Sequence, residues 1–145
     1  MRLTVNTKVK GNYKFVMSKF DESLFTKLNP PFPPVKLKRF DGSKKDDQVI
    51  LELNFILFKQ NWESLIIYDE ITEGHALFID EGIKLPFFLK YWQHHHYVIN
   101  DKGSQSIIKD QITYRTWNKI TDWLFIPVFY LQFLYRRPVY KKYFD

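Results

Sequence analysis

The first part of the chain alternates between polar and apolar side chains. Residues 2–9 place one set of side chains on a common face, namely Leu3, Val5, Thr7 and Val9. A period of two is typical of a half-buried strand. Gly11 and Asn12 break the alternation, and over residues 13–28 apolar positions recur near helical spacing, with an interruption at Asp21. The pattern predicts one strand followed by two short helices.

A proline-rich segment separates these elements from the centre of the chain. Four prolines within residues 29–34 exclude a helix or a central strand, because proline lacks the amide donor and keeps the backbone extended. Beyond this connector, apolar stretches alternate with turn residues such as Asp41-Gly42 and Glu73-Gly74. These stretches predict six further antiparallel strands, at residues 35–40, 49–58, 62–72, 75–80, 90–99 and 104–115.

The last segment, residues 117–144, shows no strand alternation and is apolar on nearly every side between positions 123 and 135. A helix of this kind is enclosed either by protein or by a membrane. Its densest apolar run is too short to cross a bilayer, and Lys119 and Asp122 lie nearby. We therefore expect an α+β protein, one domain over residues 1–145, in which a curved antiparallel sheet encloses a long C-terminal helix.

The register of the last hairpin follows from its turn. The sequence Asn-Asp-Lys-Gly at residues 100–103 suits a type I turn closed by a left-handed Gly103. This turn pairs Asn100 with Ser104, and counting outwards places His94 opposite Asp110.

The two faces of this hairpin differ in polarity. The face expected to point inward carries Trp92, His94, His96, Val98, Ile108, Asp110, Ile112 and Tyr114. Two imidazoles and a carboxylate thus enter an apolar interior, where polar groups need partners. We expect His94 and Asp110 to be hydrogen-bonded neighbours, and His95 to face water.

Composition narrows the function. The aromatic share is 19%, the net charge is +6, and cysteine is absent. The basic residues are scattered rather than gathered on one element, so we expect no nucleic-acid partner. The N-terminal residues lack the apolar run of a secretory signal, and the lack of cysteine fits a reducing compartment, so we expect a cytoplasmic protein.

A set of residues between positions 78 and 114 resembles a known superfamily. The matching residues are Phe-Ile-Asp at 78–80, Gly82, Pro-Phe at 86–87, Trp-Gln-His-His-His at 92–96 and Asp-Gln-Ile-Thr-Tyr at 110–114. With the aromatic C-terminal helix, they resemble the SRPBCC superfamily of START-like ligand-binding proteins, and most closely its small bacterial polyketide cyclase-like members. Leu85 stands where members often carry glycine. The resemblance implies the helix-grip fold: about seven strands, two short helices after the first strand, and a C-terminal helix held by the sheet around a deep cavity.

Functions in this superfamily range from lipid carriage and hormone sensing to aromatic cyclisation, so the fold alone does not select one. We expect a non-catalytic carrier or sensor that binds a small hydrophobic or aromatic ligand, lipid-like or polyketide-like, in an internal cavity. Mostly apolar walls with a few convergent polar groups are typical of such sites. The expected ligand contacts are Trp92, His94, His96, Asp110, Ile112, Tyr114, Trp123 and Tyr130.

Three alternatives stay open. His94 and Asp110 could act as the acid/base pair of a cyclase- or dehydratase-type enzyme, although no activated nucleophile accompanies them. Together with His96 they could form a two-histidine, one-carboxylate metal site. A hydrogen-bonded cluster explains the same residues, so we expect neither a metal nor another cofactor. The third alternative is peripheral contact between the aromatic helix and an anionic membrane, supported by Arg136, Arg137, Lys141 and Lys142.

Overall fold

The computed structural model describes residues 1–145 and contains seven strands and three helices. The strands are β1 (Arg2–Lys10), β2 (Val35–Phe40), β3 (Gln48–Asn54), β4 (Lys59–Thr72), β5 (His75–Lys84), β6 (Tyr91–Asn100) and β7 (Gln105–Arg115). The helices are α1 (Tyr13–Ser18), α2 (Glu22–Leu28) and α3 (Lys119–Tyr143). All neighbouring strands are antiparallel in the order β1-β7-β6-β5-β4-β3-β2. The predicted helix-grip architecture is confirmed.

Both short helices begin where the apolar pattern was interrupted. The side chain of Asn12 accepts a hydrogen bond from the Lys14 amide, and that of Asp21 accepts one from the Leu24 amide at 3.0 Å. Such a capping side chain stabilises a helix by about 1 kcal/mol. The caps explain why one apolar stretch yields two helices, whose inward side chains, including Leu24, pack in a core beneath β5, β6 and β7.

The turn between β3 and β4 differs from the prediction, which continued the strand to residue 58. The Asn54 side chain accepts a hydrogen bond from the Ile56 amide at 2.9 Å, and the Phe55 amide donates to the Phe58 carbonyl at 2.9 Å. An asparagine side chain that bonds to the backbone two residues later favours a turn over a strand. Ile56 adopts a positive φ of 77°, and Leu57 at the tip is 91% exposed.

The register predicted for the last hairpin is wrong by two residues. Asn100 pairs with Ser106 rather than Ser104, because the chain continues as a ladder to Asp101, whose amide donates to the Gln105 carbonyl at 3.0 Å. Gly103 is left-handed as expected, with a φ of 65°, but lies in the middle of the loop. Side chains alternate with a period of two, so this shift changes the pairing and preserves both faces.

The C-terminal helix α3 starts at a capping box, in which Asn118 and Thr121 exchange side-chain-to-backbone hydrogen bonds. Its buried residues, Phe129, Phe133 and Tyr140, recur at helical spacing along one side that faces the sheet. The opposite side is exposed, although it is also apolar. The sheet therefore holds this helix along one side, as expected, but the expectation that the outer side is also enclosed is wrong. No helix in the structure has the length and apolar character needed to span a bilayer.

The corrected register can be tested by disulfide trapping, because the chain has no cysteine of its own. His95 and Gln111 are directly opposed on the outer face. Opposed strand residues lie about 5.5 Å apart at Cα, within disulfide range. We expect the double variant His95→Cys/Gln111→Cys to lose both thiols on mild oxidation, as measured by thiol titration and mass spectrometry. The matched pair His95→Cys/Lys109→Cys, opposed only in the predicted register, should keep them. The reverse result would restore the predicted register.

Candidate functional site

A cavity of about 400 Å³ lies between the concave face of the sheet and α3. This volume is in the usual range for sites that bind small molecules. Aromatic side chains from four parts of the chain dominate its walls, including Phe55, Trp62, Phe88, Trp92, Phe125 and Phe129. The cavity of the fold is thus largely apolar.

The wall rings hold one another in place. Trp62 and Trp92 meet edge to face with centroids 4.8 Å apart, and Trp92 contacts Phe129 of α3 at 5.4 Å. Phe88 stacks on Phe125 at 5.3 Å. Aromatic pairs of this geometry add about 0.5 to 1.5 kcal/mol each beyond area burial. Strands and helix are therefore joined by a fixed ring framework around the cavity.

Charged residues gather where β5, β6, β7 and α3 meet. We call Asp80, His94, His96, Asp110 and Arg136 the polar cluster. His94 Nε2 lies 2.9 Å from Asp110 Oδ1, and His96 Nε2 lies 2.6 Å from Asp80 Oδ2. Asp80, both histidines and Arg136 line the cavity, whereas Asp110 lies behind them.

The two histidine–carboxylate bonds run diagonally across the sheet. His94 is directly opposite Asp80 on β5 and Ile112 on β7, yet it bonds to Asp110. His96 is directly opposite Asp110, yet it bonds to Asp80. Long side chains can reach diagonal neighbours in a sheet. The predicted bond between His94 and Asp110 is present, although the pairing from which it was inferred is not.

Burial and neighbouring charge set the protonation of the cluster. Burial, together with the nearby His96, lowers the pKa of His94 to about 4, against the opposing effect of its hydrogen bond to Asp110. Burial tends to raise the pKa of both carboxyl groups. Asp80 accepts a hydrogen bond from His96, and Asp110 accepts one from His94, and these bonds leave both pKa values below the usual range. At neutral pH, His94 is neutral and both carboxylates are ionised.

Arg136 contributes a positive charge to this group. Its Nη1 atom lies 3.8 Å from Asp110 Oδ1, and its guanidinium carbon lies 4.3 Å from the centroid of the Phe133 ring. The hydroxyl of Tyr140 and the Oδ2 atom of Asp110 are buried without a hydrogen-bond partner in the chain. Burial and the nearby Asp110 carboxylate raise the pKa of Tyr140. The carboxylates of Asp80 and Asp110 and the guanidinium of Arg136 therefore bring opposite charges together beside the cavity.

The predicted contacts divide into three groups. Trp92, His94 and His96 line the cavity. Asp110, Ile112 and Tyr114 are fully buried but lie outside the lining, and the Tyr114 hydroxyl donates to the Asp122 carbonyl at 2.6 Å. Trp123 and Tyr130 are exposed on the outer side of α3, because the helix is not enclosed. Phe125, Phe129 and Phe133 take the inward positions of the helix.

Sequence reasoning did not select Asp80 or Arg136. Asp80 shares the inward face of β5 with Ala76 and Phe78, but the strand was expected to end there. Arg136 was attributed to the helix end, although it follows Phe133 and Phe129 at the spacing of one helical face. The period of two along β5 and the helical period along α3 would have placed Asp80 and Arg136 on the inward faces of these elements.

A metal-binding arrangement is also present in outline. Ligand atoms of Asp80, His94 and His96 lie within 4.8 Å of one another. The two imidazole rings lie side by side with centroids 3.5 Å apart, and each Nε2 atom points to a different carboxylate. Each Nε2 atom is already hydrogen-bonded to a carboxylate, and His94 Nδ1 lies 3.6 Å from Asp80 Oδ2, so the three residues form a hydrogen-bonded cluster.

Solved structures share this architecture at low sequence identity. The protein XoxI from Bacillus cereus superposes with a TM-score of 0.67 and 14% identity, over 99% of this chain and 94% of that chain. Norcoclaurine synthase from Thalictrum flavum, in complex with dopamine and hydroxybenzaldehyde, gives 0.63 and 13%, over 96% and 86%. The ginseng major latex-like protein 151 from Panax ginseng gives 0.61 and 14%, over 97% of each chain.

No protein-family model matches the chain, and no curated protein sequence matches it. The likeness to these structures therefore concerns the fold. It is the helix-grip fold.

The first prediction for this site concerns the stability of the polar cluster. Asp110→Leu leaves the buried His94 Nε2 without its hydrogen-bond partner and Arg136 without the nearby carboxylate, so it should lower the free energy of unfolding by about 1 to 3 kcal/mol. Asp110→Asn keeps most of the bond geometry and should cost less. His95→Ala, on the outer face of the same strand, should cost little. Urea denaturation measures all three, and equal losses for Asp110→Leu and His95→Ala would contradict the buried pairing.

The second prediction concerns pH. The pKa of His94 is about 4 in the folded protein, against an ordinary value of 6.5. Between pH 4 and pH 6.5, His94 is therefore protonated in the unfolded chain and neutral in the folded protein. The free energy of unfolding should therefore fall as the pH decreases through this window, by up to about 3 kcal/mol from this group. Protonation of Asp80 and Asp110 should extend the loss below the window, since their pKa values are lowered.

Urea denaturation at a series of pH values measures this slope. His94→Gln should flatten it between pH 6.5 and 4, whereas Gln93→Ala, an uncharged neighbour on the outer face, should keep it. A wild-type profile without slope in this window would contradict a buried, neutral His94.

Proposed function

We propose that the protein binds a small hydrophobic or aromatic ligand, lipid-like or polyketide-like, in its cavity and acts as a non-catalytic carrier or sensor. The observation that carries this proposal is the cavity of about 400 Å³, with aromatic walls and one polar end. An apolar cavity with a few placed polar groups both buries a ligand and orients it. The aromatic molecules in the complex of norcoclaurine synthase support an aromatic ligand of similar size.

The residues around the cavity divide by role in this proposal. Trp92 and Phe129 supply flat apolar contact from opposite walls. Asp80 is a hydrogen-bond acceptor beside the cavity, and Arg136 is a donor. A ligand with one polar group, such as a hydroxyl or carbonyl, would place that group between them. His96 donates a hydrogen bond to Asp80 and His94 lies 3.6 Å from the same carboxylate, so the two histidines hold Asp80 in position.

The geometry favours binding over catalysis. His94 Nε2 is occupied by Asp110, and its Nδ1 lies 3.6 Å from Asp80 Oδ2. A pKa of about 4 makes this imidazole a weak base at neutral pH. Ser64, a hydroxyl in the wall, makes no hydrogen bond to either imidazole. His94 is therefore poorly suited to act as a general base, and neither imidazole activates the Ser64 hydroxyl.

An enzyme is the second candidate. Norcoclaurine synthase has the same fold and is an enzyme, and the His94–Asp110 bond is the pair that a cyclase- or dehydratase-type reaction would use. A co-purified ligand that the protein leaves chemically unchanged would support the carrier, and turnover that His94→Gln abolishes would support the enzyme.

The proposal includes a cytoplasmic location and no nucleic-acid partner, supported by the lack of cysteine and by the scattered basic residues.

A dye-binding experiment tests the proposed function. Leu51 lines the cavity, so Leu51→Trp should fill part of it and weaken binding of an uncharged naphthylamine dye by about tenfold or more. Leu65→Trp on the outer face of β4 is the matched control and should bind the dye as the wild type does. Fluorescence titration, with displacement by fatty acids and flat polycyclic compounds, measures the affinities. No dye binding to the wild type, or equal affinities for the two variants, would contradict the proposal.

A further inference from the structure

The outer side of α3 is apolar and uncovered. Every exposed residue between Ile120 and Tyr135 is apolar or aromatic. They recur three or four positions apart along the helix, as in Ile120, Trp123, Leu124, Val128 and Leu131. Ile120 is 73% exposed and Trp123 is 69% exposed. The inward side of the same helix packs against the sheet, whereas this outer stripe packs against nothing within the chain.

The turn between β3 and β4 extends this surface at one end of the molecule. Phe58 contacts Phe87 with centroids 5.7 Å apart, and Phe87 contacts Trp117 at 6.2 Å. The Trp117 Nε1 atom also donates a hydrogen bond to the Phe87 carbonyl at 3.1 Å. Ile56 and Leu57 project from the turn into solvent. We call the outer stripe of α3 together with this turn the apolar face.

The succession of exposed apolar side chains sets this surface apart from single exposed residues. Single apolar residues on a surface need no explanation, whereas a contiguous patch beyond a few hundred Å² marks a site of contact with a membrane or another protein. The apolar face joins four turns of helix to a hairpin tip.

Charge indicates the kind of partner. The helix carries a single acidic residue, Asp122, whose carboxylate accepts a hydrogen bond from the Thr116 hydroxyl at 2.7 Å. Its exposed cations lie beyond both ends of the stripe, at Lys119, Arg137, Lys141 and Lys142. A second copy in a two-fold arrangement would bring these cations together, which is unfavourable. An apolar surface framed by cations instead matches a bilayer with anionic headgroups.

We propose that the apolar face docks on an anionic lipid bilayer, with the side chains of α3 and the β3–β4 turn in the interface and the flanking cations at the headgroups. The docked face adjoins the cavity, because Val128 is exposed on the stripe and also lines the cavity. An apolar ligand would therefore pass between bilayer and cavity with little exposure to water. This last consequence rests on the proposed ligand binding, whereas the docking itself does not.

Vesicle sedimentation with the full chain and no added ligand tests the docking. The wild type should bind vesicles of phosphatidylcholine with phosphatidylglycerol, and bind less at high salt or to phosphatidylcholine alone, because screening weakens the contribution of the cations. Leu124→Glu places a charge in the interface and should weaken binding by about tenfold or more. Ile71→Glu is the matched control, since Ile71 is exposed at the opposite end of the sheet, and it should bind as the wild type does.

A partner other than an anionic bilayer would give different results in light scattering and vesicle sedimentation. A concentration-dependent dimer in light scattering, without vesicle binding and lost in Leu124→Glu, would overturn the proposal in favour of a second copy. A monomer that binds no vesicle would overturn it in favour of a protein partner or none. Equal binding to neutral and anionic vesicles would overturn the role of the cations. Leu57→Asp, in the turn, provides a second variant should Leu124→Glu fail to fold, and dye binding measured separately keeps a failure of docking distinct from a failure of the cavity.

Discussion

Two carboxylates buried beneath the sheet require partners, and this requirement organises the centre of the molecule. An unpaired charge at such a depth is far more costly than any single packing contact. Asp80 and Asp110 lie on the strands either side of β6, and the two histidines of β6 bond to them crosswise. Each histidine therefore joins its own strand to a neighbour. The polar end of the cavity depends on these bonds.

The helix α3 completes this arrangement from the other side. Phe133 stands edge-on to the His94 ring at 5.0 Å, and Arg136 brings a positive charge to Asp110. One turn earlier, Phe129 contacts Trp92. The helix therefore closes the polar end with charge and the apolar end with rings. A ligand in this cavity would meet a gradient of polarity along its length, which favours molecules with one polar terminus.

The two sides of α3 serve different purposes despite similar hydrophobicity. Burial of Phe129, Phe133 and Tyr140 attaches the helix to the sheet. The exposed stripe adds nothing to that attachment, and it leaves apolar surface in contact with water. Stability of the monomer does not explain such a surface, whereas an interface does. The cavity and the apolar face meet at Val128, so the fold brings the proposed exchange route and the proposed docking surface together.

The sequence alone determined the elements and their faces, because periods of two and near four depend only on local geometry. The alternation of β1, the break at Asp21 and the inward position of His94 all follow from such patterns. Tertiary structure decided which residues meet. The last hairpin is shifted by two residues from the register that its turn sequence indicated, because the ladder continues to Asp101. The histidines bond diagonally because their side chains reach carboxylates on both neighbouring strands. Tertiary structure also decided how much of the surface of α3 the sheet covers. An apolar stripe has the same pattern whether a sheet, a membrane or water covers it, and only the packed structure showed which side the sheet covers.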